Sequence, residues 1–157
     1  ISIKIEIIME SSSWFSANKI AEGGDSEVRI HKGVVIKKWN LPIEQVKLYQ
    51  QITNGLTGIE FQHDRFRISI LPIDNVLKKG SAVFYTSQYV KGRKINTINP
   101  EDKLLLGRYF QNQLTPELSN ITNAKGINVI TWNAMLLNDN QSVVVTDIAS
   151  NVSAISF

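Results

Sequence analysis

Short apolar-rich runs separated by polar, glycine-containing turns mark residues 14–40 as strands, with strict alternation at Glu27–His31, whereas beyond residue 99 the apolar positions fall at helical spacing. Phe15 to Ala21, Glu27 to His31 and Val34 to Trp39 read as three strands, joined by Glu22-Gly23-Gly24-Asp25-Ser26 and by the turn Lys32-Gly33. From Leu41 the period changes. Pro42 suits a first helical turn, and Ile43, Val46, Leu48, Tyr49 and Ile52 keep helical spacing up to Asn54-Gly55, where the helix is expected to stop. Two further strands are expected, Phe66 to Leu71 and Ser81 to Val90, linked by a turn at Lys78-Lys79-Gly80. The first ninety residues therefore read β-β-β-α-β-β. Ile1 to Ile8 also alternates, which predicts a strand and not a signal peptide, because a long apolar core is lacking.

After Gly92 the pattern turns helical. Asn99 is placed to cap a helix, with Pro100 as its first residue and Glu101 and Asp102 at its positive end. Leu104, Leu105, Leu106, Tyr109, Phe110 and Leu114 supply a broad apolar face. Pro116 is expected to break or kink the helix, and Glu117 to Ile121 to add a further turn. A loop, a short hairpin through Asn138-Asp139-Asn140, and the strand Ser142 to Thr146 running into Asp147-Ile148-Ala149 complete the pattern. The expectation is an α+β chain. Residues 14–90 form a five-stranded antiparallel sheet with one helix, 91–157 form a truncated helical lobe, and 1–157 act as one unit.

Composition adds exclusions. With 43% hydrophobic and 20% charged residues the chain has the balance of a globular protein, and no run of eighteen apolar residues predicts a membrane span. The absence of cysteine excludes disulfides, thiolate metal sites and cysteine nucleophiles. The net charge of +3 is spread along the chain, so nucleic acid is not an expected partner. His31 and His63 stand far apart and show no metal-ligand spacing.

The chemistry concentrates near the end of the chain. Asn133 and Asp147 carry hard oxygen ligands suited to Mg²⁺, and a hairpin between them would bring them together. Phosphoryl transfer also needs a carboxylate five residues before such an Asn, to accept or orient the proton of the attacking hydroxyl. Asn128 stands there, and a neutral amide accepts a hydrogen bond but takes up no proton at ordinary pH. Upstream, Ala21, Gly23, Gly24, Ser26 and Val28 form either a plain hairpin turn or a loop whose small residues let backbone amides approach phosphates. Lys37, in Val-Val-Ile-Lys, is either a polar strand end or a contact to the α and β phosphates. Glu44 either pairs with Lys37 or decorates the helix N-terminus, with Gln50 or Gln51 as neutral substitutes. Tyr85 to Val90, followed by Lys91-Gly92, is either an ordinary strand end or a hinge where Gln88 and Val90 offer backbone groups to an adenine edge.

In that order, Ile-Ala-Glu-Gly-Gly-Asp-Ser-Glu-Val, Ile-Lys-Lys-Trp, Tyr-Val-Lys-Gly, Trp-Asn-Ala-Met-Leu and the Asp147 strand end resemble the OspG/NleH family of small kinases delivered into host cells by bacterial type III secretion. The resemblance covers roughly residues 16–155. It implies a minimal protein-kinase-like fold, ATP and Mg²⁺ as cofactors, action as a secreted virulence effector in the host cell, and ubiquitin or a ubiquitin-charged conjugating enzyme as partner. The chain departs from the family where His-x-Asp becomes Gly126-Ile127-Asn128 and where Ile148-Ala149 replaces Phe-Gly; it also ends without an Ala-Pro-Glu segment. These losses imply a pseudokinase with weak or absent phosphotransferase activity. The alternatives are an active atypical serine/threonine kinase, or an interaction module without nucleotide affinity.

Overall fold

The computed structural model describes residues 18–22 and 26–149, of which 18–22 and Ser26 are described by backbone alone. The strand expected at Ile1 to Ile8, the Phe15 end of the next strand, and Gly23, Gly24 and Asp25 lie outside the described residues. The protein is α+β, with two five-stranded sheets among the described residues and two compact units. One unit contains the residues up to Gln50 together with Pro72–Tyr89; the other contains Gln51–Leu71 and the residues from Val90 onward. No helix among the described residues is long and apolar enough to cross a membrane.

The first unit is built on an antiparallel sheet of β1 (Asn18–Glu22), β2 (Ser26–His31), β3 (Val34–Trp39), β6 (Asn75–Lys79) and β7 (Ala82–Gln88), in the order β1-β2-β3-β7-β6. Lys32 and Gly33, both at positive φ, make the tight turn between β2 and β3, and Gly80 (φ +63°) does so between β6 and β7. Ile36 and Phe84 are buried on one face and gather Val34, Leu77 and Ala82 around them. An aromatic group packs elsewhere in the unit. Tyr49 of α1 (Ile43–Leu56) stacks on Tyr85 of β7 with centroids 6.5 Å apart, and Trp39 of β3 lies 5.9 Å from Tyr85 and 6.4 Å from Tyr49. Gln50 donates to the Ile73 and Asp74 carbonyls, tying the helix to the chain that leads into β6.

Two expectations are corrected here. The helix does not stop at Asn54-Gly55 but runs to Leu56, whose side chain is fully buried and anchors the last turn. The strand at 66–71 does not join this sheet; its place is taken by Asn75–Lys79, so Lys78 and Lys79 are strand residues and not a turn.

In the second unit β4 (Phe61–His63), β5 (Phe66–Ile70), β8 (Arg93–Lys94), β9 (Ala134–Leu136) and β10 (Ser142–Val145) form a sheet in the order β4-β5-β10-β9-β8. The β5–β10 pair is parallel and the others antiparallel. The second half is thus not simply helical, and residues 51–71, expected with 14–90, group with it because β5 pairs across a long sequence distance with β10. Phe66, Ile68 and Ile70 alternate with Arg67 and Ser69 and point their apolar face inward with Val143, Val145, Ala134 and Leu136. Gly92 is required by close approach, since a Cβ there would lie 2.5 Å from the Leu136 carbonyl oxygen.

The helical part begins as expected. Asn99 Oδ1 accepts the Asp102 amide at 2.9 Å and caps α2 (Pro100–Tyr109). Pro116 does not break the helix. The chain passes through a π-helical turn, Phe110–Leu114, in which the Thr115 amide reaches back to the Phe110 carbonyl, and continues as α3 (Thr115–Thr122). The wider turn takes up the clash that a proline ring makes with the carbonyl four residues earlier.

Candidate functional site

The residues from Gly126 to Asn133 form a loop pinned at alternate positions. Ile127 and Val129 are buried, and Asn128 between them is half-buried. Gly126 has φ +84°, a conformation that a residue with a Cβ adopts only under strain. Three groups fix Asn128 and Val129. The Asn128 amide donates to the Ile148 carbonyl at 2.9 Å, the Val129 amide donates to Thr115 Oγ1 at 3.1 Å, and Gln111 Nε2 donates to Asn128 Oδ1 at 3.0 Å and to the Val129 carbonyl at 2.9 Å.

Asp147 follows β10. The residue before it, Thr146, donates its amide to the Asn133 carbonyl at 2.8 Å and its hydroxyl to the same oxygen at 3.1 Å; the residue after it, Ile148, receives the Asn128 amide. Asp147 is therefore bracketed by residues bonded to Asn133 on one side and Asn128 on the other. Its Oδ1 accepts the Ala149 amide at 3.2 Å, which orients the carboxylate. Asn133 is half-buried in a single 3₁₀ turn, Thr131–Asn133, and its side chain makes no hydrogen bond among the described residues. Ile148 and Ala149 are fully buried and anchor the strand end.

These donors suit a particular kind of metal site. No group of three or more His, Asp or Glu side chains converges among the described residues, so no cage of charged ligands is present there. One carboxylate and one amide oxygen match Mg²⁺ that arrives with substrate phosphates and keeps several waters.

In the first unit Lys37 is half-buried on β3, opposite Val28 of β2 and Tyr85 of β7. Its Nζ stands 4.4 Å from the Trp39 ring centroid and 5.7 Å from that of Tyr85, so aromatic faces support the ammonium. Glu44 is exposed in the first turn of α1, where the helix dipole favours a carboxylate, and Gln50 is committed to the Ile73 and Asp74 carbonyls. Gln51 is exposed. Ala21 pairs with Val28 beside a register shift in β1, and Ser26 pairs with Trp39; Gly23 and Gly24 lie outside the described residues. Gln88 ends β7 opposite Val34 and is exposed, and the Tyr89 amide after it donates to the Gly33 carbonyl. Val90 is half-buried at the start of the second unit's later segment.

Sequence reasoning missed Gln111 and Thr115. Neither carries a local signal: Gln111 is one polar residue among several after Phe110, and Thr115 is an ordinary polar residue before Pro116. His63 stacks on Tyr109 at 4.2 Å, and no metal-ligating group of three or more His, Asp or Glu occurs among the described residues. No protein-family model matches the chain, and no curated protein matches its sequence.

Proposed function

We propose that this chain is a kinase-like nucleotide-binding protein in which phosphoryl transfer is impaired by the amide at position 128. The observation that carries the proposal is the pair of backbone bonds, Asn128 to Ile148 and Thr146 to Asn133, that bracket Asp147 with the two other motif residues. The antiparallel order β1-β2-β3-β7-β6, with Lys37 on its third strand, supports the kinase-like reading of the first unit.

Each residue then has a task. Lys37 contacts phosphate oxygens, its ammonium supported by Trp39 and Tyr85. Asn133 and Asp147 hold Mg²⁺, which when bound neutralises charge developing on the phosphate oxygens. Asn128 holds the attacking hydroxyl by a hydrogen bond but does not remove its proton, and Gln111 keeps the Asn128 oxygen in place. The resemblance further assigns nucleotide contact to Ala21, Gly23, Gly24, Ser26 and Val28, and adenine contact to Gln88 and Val90; Gly23 and Gly24 lie outside the described residues. On the same resemblance the proposal extends to a secreted effector acting in a host cell, with ubiquitin or a ubiquitin-charged conjugating enzyme as partner.

Thermal melting with ATP and Mg²⁺ tests the binding step. A hundredfold excess of nucleotide over its Kd stabilises by about 2.7 kcal/mol, a rise in Tm of several degrees, and Lys37→Met and Asp147→Ala should each abolish that rise. No stabilisation at saturating nucleotide overturns the proposal. Radiolabelled phosphate transfer tests the chemistry: Asn128→Asp should raise labelling by about 10²–10⁴-fold. If the native chain already labels strongly and Asp147→Ala abolishes it, the protein is an active kinase using another base.

A further inference from the structure

We infer that the outward stripe of α2 is a docking site for an acidic amphipathic helix of a partner protein. Pro100, Lys103, Leu104, Gly107, Arg108 and Gln111 recur at helical spacing and, with Thr131 as the wall, line an open cleft of about 600 Å³. The stripe spans about three helical turns, roughly 16 Å, a length that an opposing helix covers and a compact small molecule does not.

Its floor is apolar where a folded surface usually is not. Leu104 is 54% exposed, whereas Leu106 of the same helix is fully buried. Gly107 leaves a notch beside Thr131, whose Cγ2 would lie 3.6 Å from a Cβ at this position. Such a notch lets a second helix approach closely and seat a Leu or Phe anchor over Leu104.

The charged residues that line the cleft, Lys103 and Arg108, are of one sign, although Glu101 is exposed at the start of the same helix. Lys103 and Arg108 are exposed and make no ion pair or hydrogen bond among the described residues, and no carboxylate lines the cleft. Trp132 follows the Thr131 wall in sequence, is 61% exposed, and has the Lys94 ammonium 5.3 Å from its ring centroid, although neither residue lines the cleft itself. A helix with apolar anchors at i, i+3 and i+4, flanked by Asp and Glu, complements this arrangement; a nucleic acid would leave Leu104 uncovered.

Fluorescence anisotropy on the full chain without nucleotide tests the inference independently of the proposed nucleotide site. The probes are a labelled amphipathic peptide with Leu at heptad positions and Glu elsewhere, the same peptide with Lys for Glu, and an oligothymidylate. The Glu peptide should bind with a Kd on the order of micromolar, as a short groove-binding helix does. The double change Lys103→Glu with Arg108→Glu should weaken it by about tenfold or more and shift the preference to the Lys peptide, while Leu104→Asp should abolish both. All three positions are exposed, so an unchanged Tm confirms that the variants fold. No binding at millimolar peptide, equal binding of the two peptides, indifference to charge reversal, or binding of the oligothymidylate instead would each overturn it.

Discussion

Gln111→Met isolates the contact that positions Asn128. The Gln111 amide makes two hydrogen bonds, 3.0 Å to Asn128 Oδ1 and 2.9 Å to the Val129 carbonyl, and Met keeps its length without either donor. The Asn128 bond is exposed, and an exposed neutral bond contributes about 0.5–1 kcal/mol. Val129 is fully buried, so its carbonyl loses a partner in a dry setting at a cost of about 1–2 kcal/mol. The sum, about 2 kcal/mol, corresponds to a fall in Tm of about 4–8 °C for a chain of this size, read by calorimetry. A double-mutant cycle with Asn128→Ala should return a coupling of about 0.5–1 kcal/mol. A Tm change below about 1 °C, or a coupling of zero, would refute the claim that Gln111 holds the loop.

Three other outcomes follow from the geometry. Asn99→Ala removes the side-chain oxygen that accepts the Asp102 amide and should cost about 1 kcal/mol, whereas Asn99→Ser should nearly restore stability; chemical denaturation compares them. Phe66→Ala empties a fully buried site in β5 and should cost about 3–5 kcal/mol, read as a lower urea midpoint. Hydrogen bonds from the Ser142 side chain and amide and the Gln141 amide hold the Asp139 carboxyl at about 2, below its ordinary 3.8, so its stabilisation is present above about pH 4 and lost as pH falls toward 2. Asp139→Asn should therefore flatten the dependence of Tm on pH across that window while leaving higher pH dependence unchanged.

Local signals foretold much of the fold. The turn at Lys32-Gly33, the strand Val34–Trp39 and the Asn99-Pro100 cap each appear in the structure because a few neighbouring residues determine them. The helix that runs past Gly55 to Leu56 shows the limit of such signals. A buried Leu outweighed the about 1 kcal/mol that Gly costs in a helix interior. Phe66–Ile70 was legible as a strand but not as to its partner, since its alternating pattern is equally satisfied by an antiparallel neighbour in the first sheet and by the parallel strand Ser142–Val145 that it takes.

The candidate site divides in the same way. The residue types at 128, 133 and 147, and Ile148-Ala149 after Asp147, are facts of composition and spacing, and the sequence alone determined them. Only tertiary structure decided that Asp147 is bracketed by bonds to Asn133 and Asn128, that Gln111 and Thr115 hold the loop, that aromatic rings support Lys37, and that Glu44 stands exposed. The physical reason is range. Capping, turn geometry and periodicity act over a few residues, whereas a hydrogen bond from a helix to a loop seventeen residues away depends on how both pack on the same core.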